Sequence, residues 1–126
     1  MSNNNLDILE ILRSELKFLD QGGYERSKGS WRAPYIFEDS PICLNFKDRA
    51  RSHPCCECQL MQFVPAEFHG NDVPCRFIPL NDEGVTVDSL YRTGTEKEMH
   101  DALRFWLCRE INRIETDRKR ARSLAR

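Results

Sequence analysis

Two stretches with helical periodicity bracket a middle in which apolar residues come in short, broken groups. In residues 5–21, Ile8, Leu9, Leu12, Leu16 and Leu19 recur at helical spacing, with Glu10, Arg13, Glu15 and Lys17 between them. That pattern predicts an amphipathic helix with one apolar stripe. Asn4 or Asn5 suits its cap, and Gly22-Gly23 suits its end, because glycine readily takes the left-handed conformation that closes a helix.

The second helical stretch, residues 96–115, is the clearer of the two. Thr95 and Glu98 form a capping box, in which each side chain can bond the other residue's backbone N–H. Met99, Ala102, Leu103, Trp106, Leu107, Ile111 and Ile114 then mark a broad apolar face. Cys108, beside Leu107, reads as a core residue of this helix.

Between the helices, residues 24–34 are polar and irregular. Short apolar groups at 35–37, 60–64, 75–80 and 85–87 alternate with Pro, Gly, Asn and Asp. These read as short strands separated by loops. Asn81-Asp82-Glu83-Gly84 reads as a four-residue hairpin loop joining residues 77–80 to 85–87. The fold class expected is α+β: two terminal amphipathic helices packed on a small, mostly antiparallel sheet, with a cysteine-rich metal-binding loop region beside it.

Composition narrows the class. At 126 residues, with 40% hydrophobic and 31% charged residues, the chain fits one soluble domain with a modest core. The net charge of -1 conceals an asymmetry, because residues 117–126 carry +4 and the remainder therefore -5. The expected organisation is a domain over 1–116 and a basic, frayed tail over 117–126. Arg118, Lys119, Arg120 and Arg122 in that tail are the candidates for contact with nucleic acid phosphates. Trp31, Arg32 and Tyr35 form a smaller aromatic–basic cluster of the kind that can stack on bases. No apolar run approaches the roughly 20 residues needed to span a bilayer. Residues 1–5 have neither the basic start nor the apolar stretch of a signal peptide. A cytoplasmic protein with no membrane contact is expected.

Six cysteines change the picture most. Cys55 and Cys58 form a C-x-x-C pair, with Cys43 upstream, eleven residues between, and Cys75 downstream, sixteen between. In a reducing compartment such a set serves as metal ligands more readily than as disulfides. Four thiolates can occupy the tetrahedral corners around zinc, and a C-x-x-C turn delivers two of them from one loop. Pro41, Pro54 and Pro74 precede Cys43, Cys55 and Cys75 and stiffen those loops, since proline fixes φ. Arg49, Arg51 and Arg76 stand near the ligands in sequence and can offset their negative charge. Cys56 and His53 are possible substitute ligands. An iron–sulfur cluster is the alternative occupant, because it too is held by four thiolates.

No nucleophile elbow, P-loop, HExxH or GxGxxG motif is present. His53 beside Cys55 and Cys56 leaves thiol chemistry open, but the pattern favours a non-enzymatic role. Glu38-Asp39 reads as a solvated turn that can salt-bridge the arginines following it. His69 falls in a Gly-Asn-Asp loop and His100 on the second turn of the C-terminal helix; neither is a first-choice ligand. The function expected is that of a small cytoplasmic metal-binding accessory protein, with a zinc site of Cys43, Cys55, Cys58 and Cys75, acting on another protein. The alternatives are an iron–sulfur protein for electron transfer or redox sensing, and a nucleic-acid-binding zinc module.

Overall fold

A computed structural model describes residues 7–25, 34–46, 48, 50 and 52–124. Helix α1 spans Ile8–Asp20, α2 spans Val87–Thr93 and α3 spans Glu96–Leu124. Four short 3₁₀ turns, at Cys55–Glu57, Gln59–Phe63, Ala66–Phe68 and Pro74–Phe77, occupy the middle of the chain.

Among the described residues there is no strand, so the antiparallel sheet of the expected α+β fold does not exist and the protein is helical. Proline accounts for much of the difference. Pro54 and Pro65 directly precede two of the turns, with φ of -61° and -57°, and Pro74 begins a third. Proline's fixed φ suits the entry to a helical turn, and its missing N–H cannot join a ladder. The apolar groups between the prolines are too short to make a strand pair without that ladder. They bond locally instead, as in Cys58 N–H to Cys55 C=O and Val64 N–H to Met61 C=O, both at 3.0 Å.

The turn at 81–84 forms, but nothing extends it into a hairpin. Asn81 Oδ1 accepts from the Glu83 and Val85 N–H groups, Gly84 sits at φ +81°, and Leu80 N–H donates to Val85 C=O at 2.7 Å. Thr86 then starts α2. Its hydroxyl accepts from Ser89 N–H at 3.1 Å, and Ser89 Oγ accepts from Thr86 N–H at 3.0 Å. Serine thus does the work of the glutamate in a capping box.

α1 and α3 run antiparallel, joined by ion pairs along their length. Arg118 forks onto Asp7 at 2.6 and 2.8 Å, Arg13 pairs with Glu115, and Arg104 reaches Asp20 at 2.9 Å. The cap of α1 is Asp7, which accepts from Leu9 N–H; Asn4 and Asn5 lie outside the described residues. Gly22, at φ +81°, follows the helix end. The expected capping box of α3 is present, with Thr95 and Glu98 exchanging bonds of 3.0 and 3.1 Å. α3 continues through Leu124, so the basic segment is helical up to that residue.

Trp106 is the hub of the core. Its ring meets Phe37 edge-on at 5.9 Å and Phe63 at 5.1 Å, which ties α3 both to the segment before Cys43 and to the turn after Cys58. Leu12 of α1, Leu103 and Leu107 of α3, and Ile78, Leu80 and Val87 are fully buried around it. Each such side chain contributes about 1.5–3 kcal/mol by leaving water. Two positions depart from the expected pattern on α3: Cys108 is exposed, while Glu110 is buried. The buried stripe runs through Leu103, Trp106, Leu107, Glu110 and Ile114. Cys108 is one residue, about 100°, off that stripe on a helix of 3.6 residues per turn.

Candidate metal centre

Three segments bring the four predicted cysteines to one place. Cys43 closes a turn by donating its N–H to Ser40 C=O at 3.0 Å. Asn45, two residues on, is buried, and its side-chain amide bonds both the N–H and the C=O of His53 at 2.9 Å. That pair of hydrogen bonds fastens the chain just before Pro54 to the turn carrying Cys43. Cys55 and Cys58 then stand one 3₁₀ turn apart. With three residues per turn, positions i and i+3 share a face, and i+1 points about a third of a turn away. Cys75 comes from the Pro74–Phe77 turn, which packs against the Gln59–Phe63 turn.

Cys43, Cys55, Cys58 and Cys75 all border a single cavity of about 30 Å³. Its walls are apolar, supplied by Phe37, Leu60, Met61 and Val64, with Glu38 at one side. A void of this size has room for an ion or a water or two, far less than an organic substrate needs. Cys56 is exposed and does not line it, as the turn geometry requires, and His53 is exposed as well. The Cys55 thiol donates to the Asp72 carbonyl at 3.8 Å. None of the six cysteines is in a disulfide.

The electrostatics follow from burial and crowding. Burial pushes the Cys75 thiol well above its ordinary value; the Glu38 carboxylate adds to this, and the thiols of Cys58, Cys43 and Cys55 add further. Burial also raises Cys58; a backbone bond from Leu60 opposes it, and the Cys43 and Cys55 thiols add to it. The thiols therefore disfavour one another's ionised forms, a conflict that a cation among them reverses. As the side chains stand, no group of three or more His, Cys, Asp or Glu residues among the described residues is arranged to hold an ion.

The charged groups expected near the cysteines are placed in part. Arg76 is bonded to Glu38, while Arg49 and Arg51 lie outside the described residues. Trp31 and Arg32 of the aromatic–basic cluster lie outside them too; Tyr35 stacks edge-on with Tyr91 at 5.6 Å. His69 is exposed and its ring bonds Val64 C=O at 2.7 Å, and His100 stands 6.4 Å from the Tyr24 ring, distant from the cavity lining. In the basic segment Arg118 is engaged by Asp7, and Lys119, Arg120 and Arg122 are exposed.

Asn45 is the site-building residue that sequence reasoning does not single out; Glu38 and Arg76 are each read there as charges near the cysteines, but their pairing depends on a contact that only the folded chain makes. No helix among the described residues is long and apolar enough to cross a membrane. No protein-family model matches the chain, and no curated protein or solved structure matches it either.

Proposed function

We propose that the protein is a small metal-binding accessory domain in which Cys43, Cys55, Cys58 and Cys75 hold one zinc ion as a structural clamp. A single observation carries this reading: four thiols from three separate segments border one ion-sized, apolar-walled cavity. Bound zinc would supply no redox chemistry; it would take the four thiolates as ligands and tie the turns at 40–46, 55–63 and 74–77 together. Binding energy of that kind is folding energy for the segments it joins. A reducing, cytoplasmic setting keeps the thiols available for it. The role is accessory and non-catalytic, exercised through another protein.

Elemental analysis and an absorption spectrum of protein purified without oxygen test the reading. The expected result is colourless protein with about one zinc per chain, lost on Cys→Ser change at any of the four positions and kept in C56S. Brown protein containing iron and sulfide would transfer the same four residues to an iron–sulfur cluster. If all four single serine variants keep both metal content and thermal stability, the site does not exist.

A further inference from the structure

The Glu38–Arg76 pair stands at the wall of the cysteine cavity in an arrangement that a surface ion pair does not need. Glu38 belongs to the turn before Cys43 and lines the cavity itself. Arg76 directly follows Cys75. Its Nε and one terminal nitrogen donate to the two oxygens of Glu38 at 2.8 and 3.1 Å, a two-pronged fork. The guanidinium also lies over two neighbouring rings, 5.2 Å from the centre of Tyr35 and 5.8 Å from that of Tyr91. Tyr91 is itself fixed, because its hydroxyl accepts from Ile36 N–H at 2.7 Å. Only 11% of the Glu38 side chain and 30% of the Arg76 side chain reach solvent, so water screens the pair weakly.

This geometry creates a problem and its solution together. The Glu38 carboxylate puts a negative charge on the wall that the four cysteines share, and four thiolates around a divalent ion already form an anionic centre. Left alone, Glu38 would make metal binding harder. The fork from Arg76 returns the positive charge at the same spot, and the faces of the two tyrosine rings attract the guanidinium to that place.

We propose that Arg76 is a positioning residue for the metal centre: through its fork on Glu38 it neutralises the carboxylate at the cavity wall and so sets how tightly Cys43, Cys55, Cys58 and Cys75 hold their ion. The inference rests on the four-thiolate reading above and specifies which residues outside the ligand set govern it.

Opposite signs distinguish this role from simple support of the fold. Zinc affinity of the full chain is measured by competition with a chromophoric chelator for wild type, R76Q, R76K, E38Q and the E38Q/R76Q double variant. R76Q leaves Glu38 uncompensated and is expected to lower zinc affinity about 10- to 100-fold, the usual cost of losing a group that supports a metal site from outside. E38Q removes the opposing charge and is expected to raise affinity. The double variant should return towards wild type, and R76K, which keeps the charge, should fall closer to wild type than R76Q does. Circular dichroism of each variant checks that it is folded.

A merely structural pair predicts something else: both single variants weaken binding and the double variant is no better. That pattern, or affinity that none of the variants moves, would overturn the inference while leaving the four-thiolate site intact. A loss in E38Q as large as that in a Cys→Ser variant would make Glu38 a ligand and overturn it too. Wild-type protein that takes up no zinc ends the four-thiolate reading, and this inference with it.

Discussion

Inside the core, the Tyr24 hydroxyl donates to the Glu15 carboxylate. The same hydroxyl accepts from Phe37 N–H at 2.9 Å, and Ser40 Oγ donates to the other Glu15 oxygen at 2.5 Å. α1 is thereby joined, through one carboxylate and two hydroxyls, to the segment that leads into Cys43. Every member is buried, and no buried side-chain nitrogen or oxygen among the described residues lacks a hydrogen-bond partner.

Glu15 makes stability depend on pH in an unusual direction. Burial raises its pKa to about 7 against the pull of the Ser40 and Tyr24 hydroxyls, from an ordinary 4.5. Between those values the folded chain holds a proton that the unfolded chain has released. Stability is therefore greatest below about 4.5 as far as this group is concerned, falls as pH rises through 7, and then levels. The full swing is at most about 3 kcal/mol, since each tenfold change in proton affinity is worth about 1.4 kcal/mol. The imidazole of His100 on α3 stands 6.4 Å from the Tyr24 ring, centre to centre. Urea unfolding of chelator-treated protein at pH 5 and pH 8 should show the loss in wild type and a much smaller one in E15Q. Equal pH dependence in the two would remove Glu15 as its source.

Tyr24→Phe tests the other half of the link. Phe37 has φ of +66°, a left-handed conformation that costs a non-glycine residue about 1–2 kcal/mol. Burial of its ring against Trp106 and the bond from its N–H to Tyr24 offset that cost. Without the hydroxyl, a buried N–H and the Glu15 carboxylate each lose a partner. The expected destabilisation is about 2–4 kcal/mol, read as a lowered denaturation midpoint. A change under about 0.5 kcal/mol, typical of a surface substitution, would mean that the turn holds its shape unaided.

Asp7 serves α1 twice, as its cap and as the partner of Arg118. The Arg118 guanidinium holds the Asp7 carboxyl below its ordinary value, so the stability this carboxylate adds is present above about 3.8 and lost as acid protonates it. D7A should cost about 1 kcal/mol from the cap and a little more from the exposed pair, which salt weakens. R118A should cost less than D7A, with the difference from wild type shrinking at high salt. If R118A proves the costlier change, the cap is not what Asp7 chiefly provides.

Thiol exposure divides the six cysteines. Cys56 and Cys108 are exposed; Cys43, Cys55, Cys58 and Cys75 are half-covered and border the cavity. A limiting dose of iodoacetamide followed by peptide mapping should modify Cys56 and Cys108 first. Early modification of Cys75 would contradict its place on the buried wall.

The helices were legible where local chemistry and pattern agree. Thr95 and Glu98 announce α3, and the leucines of α1 with Gly22-Gly23 announce α1. α2 was hidden because Val85, Thr86 and Val87 favour strands by type, while its capping box carries Ser89 in the place where glutamate usually stands. Glu15 lies on the apolar stripe of α1 by spacing, between Leu12 and Leu19, but its residue type conceals its burial. The middle misled for a plainer reason. Short apolar groups between prolines fit strands or turns equally well, and only the absence of a pairing partner decides. The spacing of the cysteines carried further: the four that it selects line one cavity, while Cys56 and His53 do not. Glu38 and Arg76, 38 residues apart, are joined only by the fold.

The ion pairs between α1 and α3 link residues as much as 111 positions apart. During synthesis the apolar face of α1, with Leu9, Leu12 and Leu19, therefore waits uncovered until α3 leaves the ribosome. At the roughly 5–20 residues per second of translation, that delay lasts several seconds. All four cavity cysteines emerge within it, on a chain that has not yet closed around them. A metal captured at that stage would join the turns before the helices clasp, making the thiol segment the template on which the helical frame settles.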